Sequence, residues 1–379
     1  MLRCRVFLLS ALAVLGTYSI DIQLIAFSDG ESKLTQKEVW REGMQFGFAN
    51  FASHIEAERQ AASAASLPTF TISSGDNFLA SLVVAAGNAQ TPVESYDALV
   101  LKTLKVDAMI FGNHEFDFGP EYAGKFVSAM DNAPFLSSNL DFSADPTLNA
   151  LVGSGRIAKS IKITRDGVTV GIIGATTEAL PSISSPGGVT VSSVLDAVQA
   201  EADALTLDSV SMIILASHLQ DPAVDLALAS KLRNVDVMIH GGGKGFDTKP
   251  VQLDVADADG KKIALVSFKG DYEEFASITL TFDENGELTG ASGNAISTAT
   301  RANVTTPGQS IIDDVMTKVD EFTYTLKNDM IGNTQVTYDT SKPYVRQKRC
   351  TLGTIAANAH RSAWCNPTQM GRNAIKESC

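Results

Sequence analysis

The chain has little cysteine, no excess of positive charge and only one long apolar run, and each shortage removes a class of function. Its four cysteines are Cys4, Cys350, Cys365 and Cys379. No disulfide framework therefore ties the middle of the chain, and no Cys-x-x-Cys or Cys-x-x-His spacing offers a zinc-finger site. With Cys4 set aside, the three remaining cysteines cannot all pair within one chain; one disulfide among them suits an oxidising compartment. Lys and Arg number 30 against 43 Asp and Glu, a net charge of −13. That balance opposes binding to nucleic-acid polymers, whose affinity depends on clustered cations. A small phosphate ester stays compatible, provided that bound metal ions supply the local positive charge.

The apolar run stands at the start. Arg3 and Arg5 precede Val6 to Gly16, and Thr17-Tyr18-Ser19 follow. Residues 1–19 thus read as a secretory signal peptide, with a buried first strand or helix as the alternative. The run is too short to span a bilayer. The expected protein is secreted, extracellular or periplasmic, without a membrane span. At 379 residues and 44% hydrophobic content, the chain has room for one large domain and part of another.

Apolar periodicity predicts alternating elements. Strands are expected at 22–28, 69–73, 107–111, 135–139, 211–217 and 235–240, and helices at 36–64, 94–104, 120–131, 191–207, 223–233 and 309–328. Arg165-Asp166-Gly167 between alternating runs predicts a hairpin over 161–173. The stretch 263–288 is strand-rich, with a turn at Asp283-Glu284-Asn285-Gly286, so the second half of the sheet structure is expected to be more antiparallel.

Chemistry gathers where the strands end, the edge at which open α/β sheets place their sites. Val106–Ile110 runs into Phe111-Gly112-Asn113-His114-Glu115-Phe116-Asp117, and Thr69-Phe70-Thr71-Ile72 into Ser73-Ser74-Gly75-Asp76-Asn77. Asp29 follows Ile22–Phe27, and His218 follows Met212–Leu215. Any one of these residues alone says little, since an Asp after a strand is commonly a helix cap. Their joint order is the signal.

In that order the segments resemble the calcineurin-like metallophosphoesterases, and within them the 5'-nucleotidase branch. The resemblance implies an α/β fold, a four-layer αββα sandwich with mixed sheets and an incomplete C-terminal helical segment. It implies a division into a signal peptide (1–19), a metallophosphoesterase domain (20–300), a linker helix region (301–344) and the start of a C-terminal domain (345–379). The activity implied is hydrolysis of phosphate monoesters, chiefly nucleotides, by a metal-activated hydroxide. One or two divalent ions, Mg, Mn, Ca or Zn, would serve as cofactors. Asp76 would bridge them, with Asn113 and His218 on the second ion and Asp29 and Glu31 on the first. His114 would stabilise the phosphoryl oxygens or protonate the leaving group, with Asp117 orienting its ring.

This sequence departs from the family pattern in three places. Asp29-Gly30-Glu31 stands for Asp-x-His, and Gly241-Gly242-Gly243-Lys244, preceded by His240, for Gly-Gly-His-x-His. Glu31 as an oxygen donor favours a harder ion than Zn²⁺. Lys244 would contact phosphate, and His240 is either a substitute ligand or a polar strand-end residue. Near the C-terminus, Arg349 and Asn358 stand where the family has Glu and Asp. The family's base-stacking aromatics belong to the C-terminal domain, so weak selectivity among phosphate esters is expected. The competing reading is a catalytically impaired scaffold that binds a ligand or partner without turnover.

Overall fold

The computed structural model describes residues 19–34, 47–243, 250–329 and 351–364. The expected signal peptide, Lys244 and the three C-terminal cysteines lie outside the described residues. The chain divides into a unit over Met1–Tyr324 and a second over Thr325–Cys379. In the second unit, Thr351–Trp364 is helical. Among the described residues, no helix is long and apolar enough to cross a membrane.

Two mixed sheets carry the first unit. The seven-stranded sheet centres on Ile20–Phe27, which pairs antiparallel with Glu274–Phe282 and parallel with Thr69–Ser73. Ala108–Ile110, Phe135–Leu136 and Ile157–Ala158 continue it in parallel. Leu288–Ser297 closes the far side. In the six-stranded sheet, Ile213–His218 lies between Val168–Thr176 and Val237–Ile239, parallel to both. Lys262–Val266 continues it in parallel, and Val251–Ala256 and Ser160–Arg165 close it antiparallel.

Strand alternation explains the layers, because successive side chains point to opposite faces. Ile172, Ile214, Ala216 and Val237 join the core shared with Ile22, Leu24, Ile72 and Ile110 of the other sheet. Their neighbours Ile173, Leu215 and Met238 join a separate cluster with Val198 and Leu205 of the helix Val194–Leu207 and Leu228 of Pro222–Ala229. Phe51 and Ile55 of the helix Phe48–Ala64, with Phe126 of Gly119–Ala129, belong to the first core. The result is the expected four-layer αββα arrangement.

Local chemistry moved several expected boundaries. The helix expected over 94–104 starts at Tyr96, capped by Ser95, and tightens into a 3₁₀ turn at Lys102–Leu104. The strand expected to reach 139 stops at Leu136, because the Ser138 N–H crosses to the Gly174 carbonyl at 2.7 Å. The helix expected from 191 begins at Val194, since Thr190–Val191 pairs with Leu140–Asp141 and Ser193 caps the first turn. Of the helix expected from 36, Phe48–Ala64 is helical and 35–46 lie outside the described residues. Thr69–Ser73 and Gln309–Asn328 have the expected bounds.

Phe51 shows how the core supports the site. Its ring meets Phe27 at 5.2 Å, Tyr272 at 4.9 Å and Phe275 at 5.6 Å. Aromatic pairs add about 0.5–1.5 kcal/mol each beyond burial, so Phe51→Leu should cost about 2 kcal/mol. Urea unfolding checks this; an unchanged midpoint would show that the rings contribute nothing beyond volume.

Candidate metal centre

The expected ligands come from strand ends of both sheets. Asp29 follows Ile20–Phe27, Asp76 follows Thr69–Ser73, Asn113 and His114 follow Ala108–Ile110, and His218 ends Ile213–His218. The backbone is left-handed at Asp29 (φ 52°), Glu31 (φ 46°) and Asp76 (φ 52°). Such conformations cost free energy and persist where surrounding structure enforces them. Close packing does so here. A Cβ on Gly112 would sit 2.2 Å from Asp76 Oδ1, and one on Gly75, at φ 94°, would sit 2.6 Å from the Gly112 nitrogen.

Glu115 clamps the two loops together. It is fully buried and accepts N–H groups from Gly112 (2.7 Å), Asp76 (3.0 Å) and Asn77 (2.8 Å), with the Asn77 side-chain amide at 3.0 Å. Asn77 also accepts the Ser73 hydroxyl at 2.6 Å. The sequence assigned no role to Glu115, although it lies inside the Gly-Asn-His-Glu run.

Asp29, Asp76 and His218 offer ligand atoms within 4.8 Å of one another, all buried; Glu31, Asp76 and His114 form a second such group. Asp76 belongs to both. Around it, Asp29 lies with His218 and Glu31 with His114. His240 is in neither group: its Nδ1 pairs with Asp225 Oδ2, and Asp225 Oδ1 accepts the Ser217 hydroxyl at 2.6 Å. Asn113 Oδ1 accepts the side-chain N–H of Gln220.

The donor set fits a divalent cation. His218 Nδ1–H donates to the Ser74 carbonyl at 2.7 Å, a group that can only accept, which aims Nε2 at the carboxylates. Nε2 lies 2.9 Å from Asp76 Oδ2 and is a buried atom that makes no hydrogen bond. Burial pulls the imidazole down, but Asp76 outweighs it and pushes His218 up to about 10. Glu31 is pushed up to about 7, first by burial and then by Asp271, Asp29 and Asp76. Crowded carboxylates of this kind call for a cation, and a cation displaces the proton on the imidazole. Asp29 is held in place by N–H groups of Gly242 (3.0 Å) and Gly243 (3.2 Å) and by the Ser28 hydroxyl.

Beside this group stands an acid–base pair. His114 Nδ1–H donates to Asp117 Oδ2 at 2.6 Å, and Asp117 Oδ1 accepts the Ser184 hydroxyl at 3.0 Å. The His114 N–H donates to Asp76 Oδ1 at 2.8 Å, and its Nε2 lies 3.8 Å from Asp76 Oδ2. Burial pulls the imidazole down, yet Asp76 and Asp117 raise it above its ordinary range. With 26% of its side chain accessible, the ring can reach a bound molecule. Ser184 was not foreseen, since nothing in sequence ties it to a partner 67 residues away.

A buried carboxyl behind the Glu31 loop was also missed. Ser32 Oγ donates to Asp97 Oδ2 at 3.1 Å and accepts the Leu79 N–H at 3.1 Å. Burial pushes Asp97 up to about 7, against the Ser32 hydrogen bond. An unfolded Asp titrates near 4, so between about pH 4 and 7 only the unfolded chain sheds this proton. Stability is therefore full below that window and declines as pH rises through 7; at about 1.4 kcal/mol per pKa unit, a few kcal/mol are involved. Asp97→Asn should remove this decline. Melting temperatures of variant and wild type at pH 5 and pH 8 test it: the variant should gain on the wild type at pH 8, and a constant difference would show that Asp97 titrates normally.

No family model matches the chain. It is similar to an apyrase of Aedes albopictus, 28% identical over 315 residues, covering 78% of this chain and 53% of the apyrase. It is similar to the 5'-nucleotidase of Homo sapiens, 28% identical over 276 residues, covering 68% of this chain and 46% of that protein. The chain spans about half the length of these relatives. Among solved structures, the 5'-nucleotidase precursor of Thermus thermophilus matches with a TM-score of 0.71 at 23% identity, over 91% of this chain and 68% of that one.

Proposed function

Because the chain belongs to the 5'-nucleotidase family of calcineurin-like phosphoesterases, we propose that it is an exported, metal-dependent phosphoesterase acting on nucleotide phosphate monoesters. One observation carries the reading: the convergence of Asp29, Asp76 and His218 beside the His114–Asp117 pair. Asp29, Glu31, Asp76 and His218 would hold the cation. When bound, a divalent ion supplies Lewis-acid polarisation of the phosphoryl group and activation of the attacking water.

The remaining steps fall to the chain itself. Asp117, fixed by Ser184, holds Nδ1–H of His114 and so leaves Nε2 free, 3.8 Å from Asp76 Oδ2, to meet a bound phosphate. Kept protonated above its ordinary range by Asp76 and Asp117, His114 donates a hydrogen bond to a phosphoryl oxygen as charge grows there. The same proton is positioned for the leaving alcohol oxygen. Asp76 ties the two halves together, since it accepts the His114 N–H and faces His218.

The test is hydrolysis of AMP, ADP and p-nitrophenyl phosphate by the purified chain, before and after EDTA treatment and after Mg²⁺ or Mn²⁺ is returned. Loss with chelation and recovery with the ion is the expected outcome; activity untouched by full chelation would overturn the metal mechanism. The second reading, a scaffold without turnover, is favoured by one feature, the Gln220 amide resting on Asn113. Ion binding without turnover of any ester would select it.

A further inference from the structure

We propose that Gln220 is a built-in occupant of the cation position next to Asn113, which makes the centre a one-ion site; this rests on the cation-binding reading above. Three observations meet at this residue. Its side-chain amide N–H donates to Asn113 Oδ1, the oxygen expected to ligate a second ion. An amide hydrogen carries partial positive charge, so it satisfies that oxygen as a cation would. The same amide nitrogen lies 2.9 Å from where a Cβ on Gly242 would stand, and the Gln220 backbone nitrogen lies at the same distance. Gly242 belongs to the segment that departs from the family's His-bearing motif. Any side chain there would collide with Gln220, and at φ 87° it would also be strained.

The two positions are therefore complementary: a glycine makes the space and the glutamine fills it. Gln220 itself has a left-handed backbone, φ 73°, two residues past the strand end at His218. It is exposed at the outer side while its amide reaches inward to Asn113. The group of Asp29, Asp76 and His218 does not include Gln220, and its His218 Nε2 has no hydrogen-bond partner. That group offers its atoms to an ion, while the Asn113 oxygen is already taken by protein.

Ion stoichiometry tests this without reference to activity. Mn²⁺ titrated into the metal-stripped full chain, followed by calorimetry and by electron paramagnetic resonance, should give one ion per wild-type chain with an isolated-ion spectrum. The variants Gln220→Gly and Gln220→Ala, which free the Asn113 oxygen, should take up a second ion per chain and show the broadened spectrum of a coupled pair. Two tight ions in the wild type, or one ion in variants that retain wild-type circular dichroism, would overturn the proposal while leaving the metal centre standing. Failure of all three proteins to bind any ion would overturn the cation-binding reading and the proposal with it.

Discussion

Asp76→Asn is expected to empty the centre of its cation and to lower kcat/KM for AMP by at least a thousandfold, about 4 kcal/mol of transition-state stabilisation. The size follows from position. Asp76 is the one residue common to both ligand groups, with Asp29 and His218 on one side and Glu31 and His114 on the other. Burial alone would raise its carboxyl, but His218 and His114 hold it below the ordinary range, so the wild-type site presents a full negative charge. The substitution removes that charge and keeps the shape. Asn also tolerates the left-handed backbone of residue 76, and its amide oxygen can still accept the His114 N–H now held at 2.8 Å. The fold should therefore survive, and circular dichroism with bound-metal analysis separates the two effects. A variant that keeps wild-type metal content would show that Asp29, His218 and Glu31 suffice, and that Asp76 is not a required ligand.

What the sequence disclosed was local, and what it concealed was long-range. The ends of the strands were legible because apolar runs such as Leu24–Phe27 stop at polar, glycine-containing turns, and because turn direction and strand edge put those turns at one rim. The hairpin at Asp166-Gly167 was legible for a related reason: both residues adopt positive φ, 52° and 82°, as a tight turn between paired strands requires. Short helices escaped because two turns give too little periodicity to recognise. Their capping signals were present nonetheless, Ser81 before Leu82–Asn88 and Asp145 with Pro146 before Pro146–Gly153. Partners far apart in sequence left no such trace. Gln220 meets Asn113 across 107 residues, and Glu115 reaches Asn77 across 38. His240 was ambiguous for the same reason, since its partner Asp225 lies on a separate helix and no spacing rule connects them.

His114→Asn should lower kcat by a hundredfold to ten-thousandfold, about 3–5 kcal/mol, while leaving metal content within error of the wild type. The contrast with Asp76 comes from what each side chain faces. The His114 backbone N–H, not its ring, bonds Asp76 at 2.8 Å, so an asparagine at 114 keeps that anchor. Its ring is 3.8 Å from Asp76 and bound firmly to Asp117 at 2.6 Å, so Nδ1 is taken and Nε2 is the atom left to meet substrate. Ground-state binding should change little, so KM should move far less than kcat, as expected for a group whose interaction strengthens only as charge develops on the phosphoryl oxygens. Leaving-group dependence supplies the sharper check. p-Nitrophenolate departs readily without a proton, whereas the ribose oxygen of AMP does not, so His114→Asn should harm AMP hydrolysis at least tenfold more than p-nitrophenyl phosphate hydrolysis if protonation is its main task. Equal losses on both esters would assign His114 to the phosphoryl oxygens alone, and loss of the metal in this variant would place its ring among the ligands, with Glu31 and Asp76, instead of beside them.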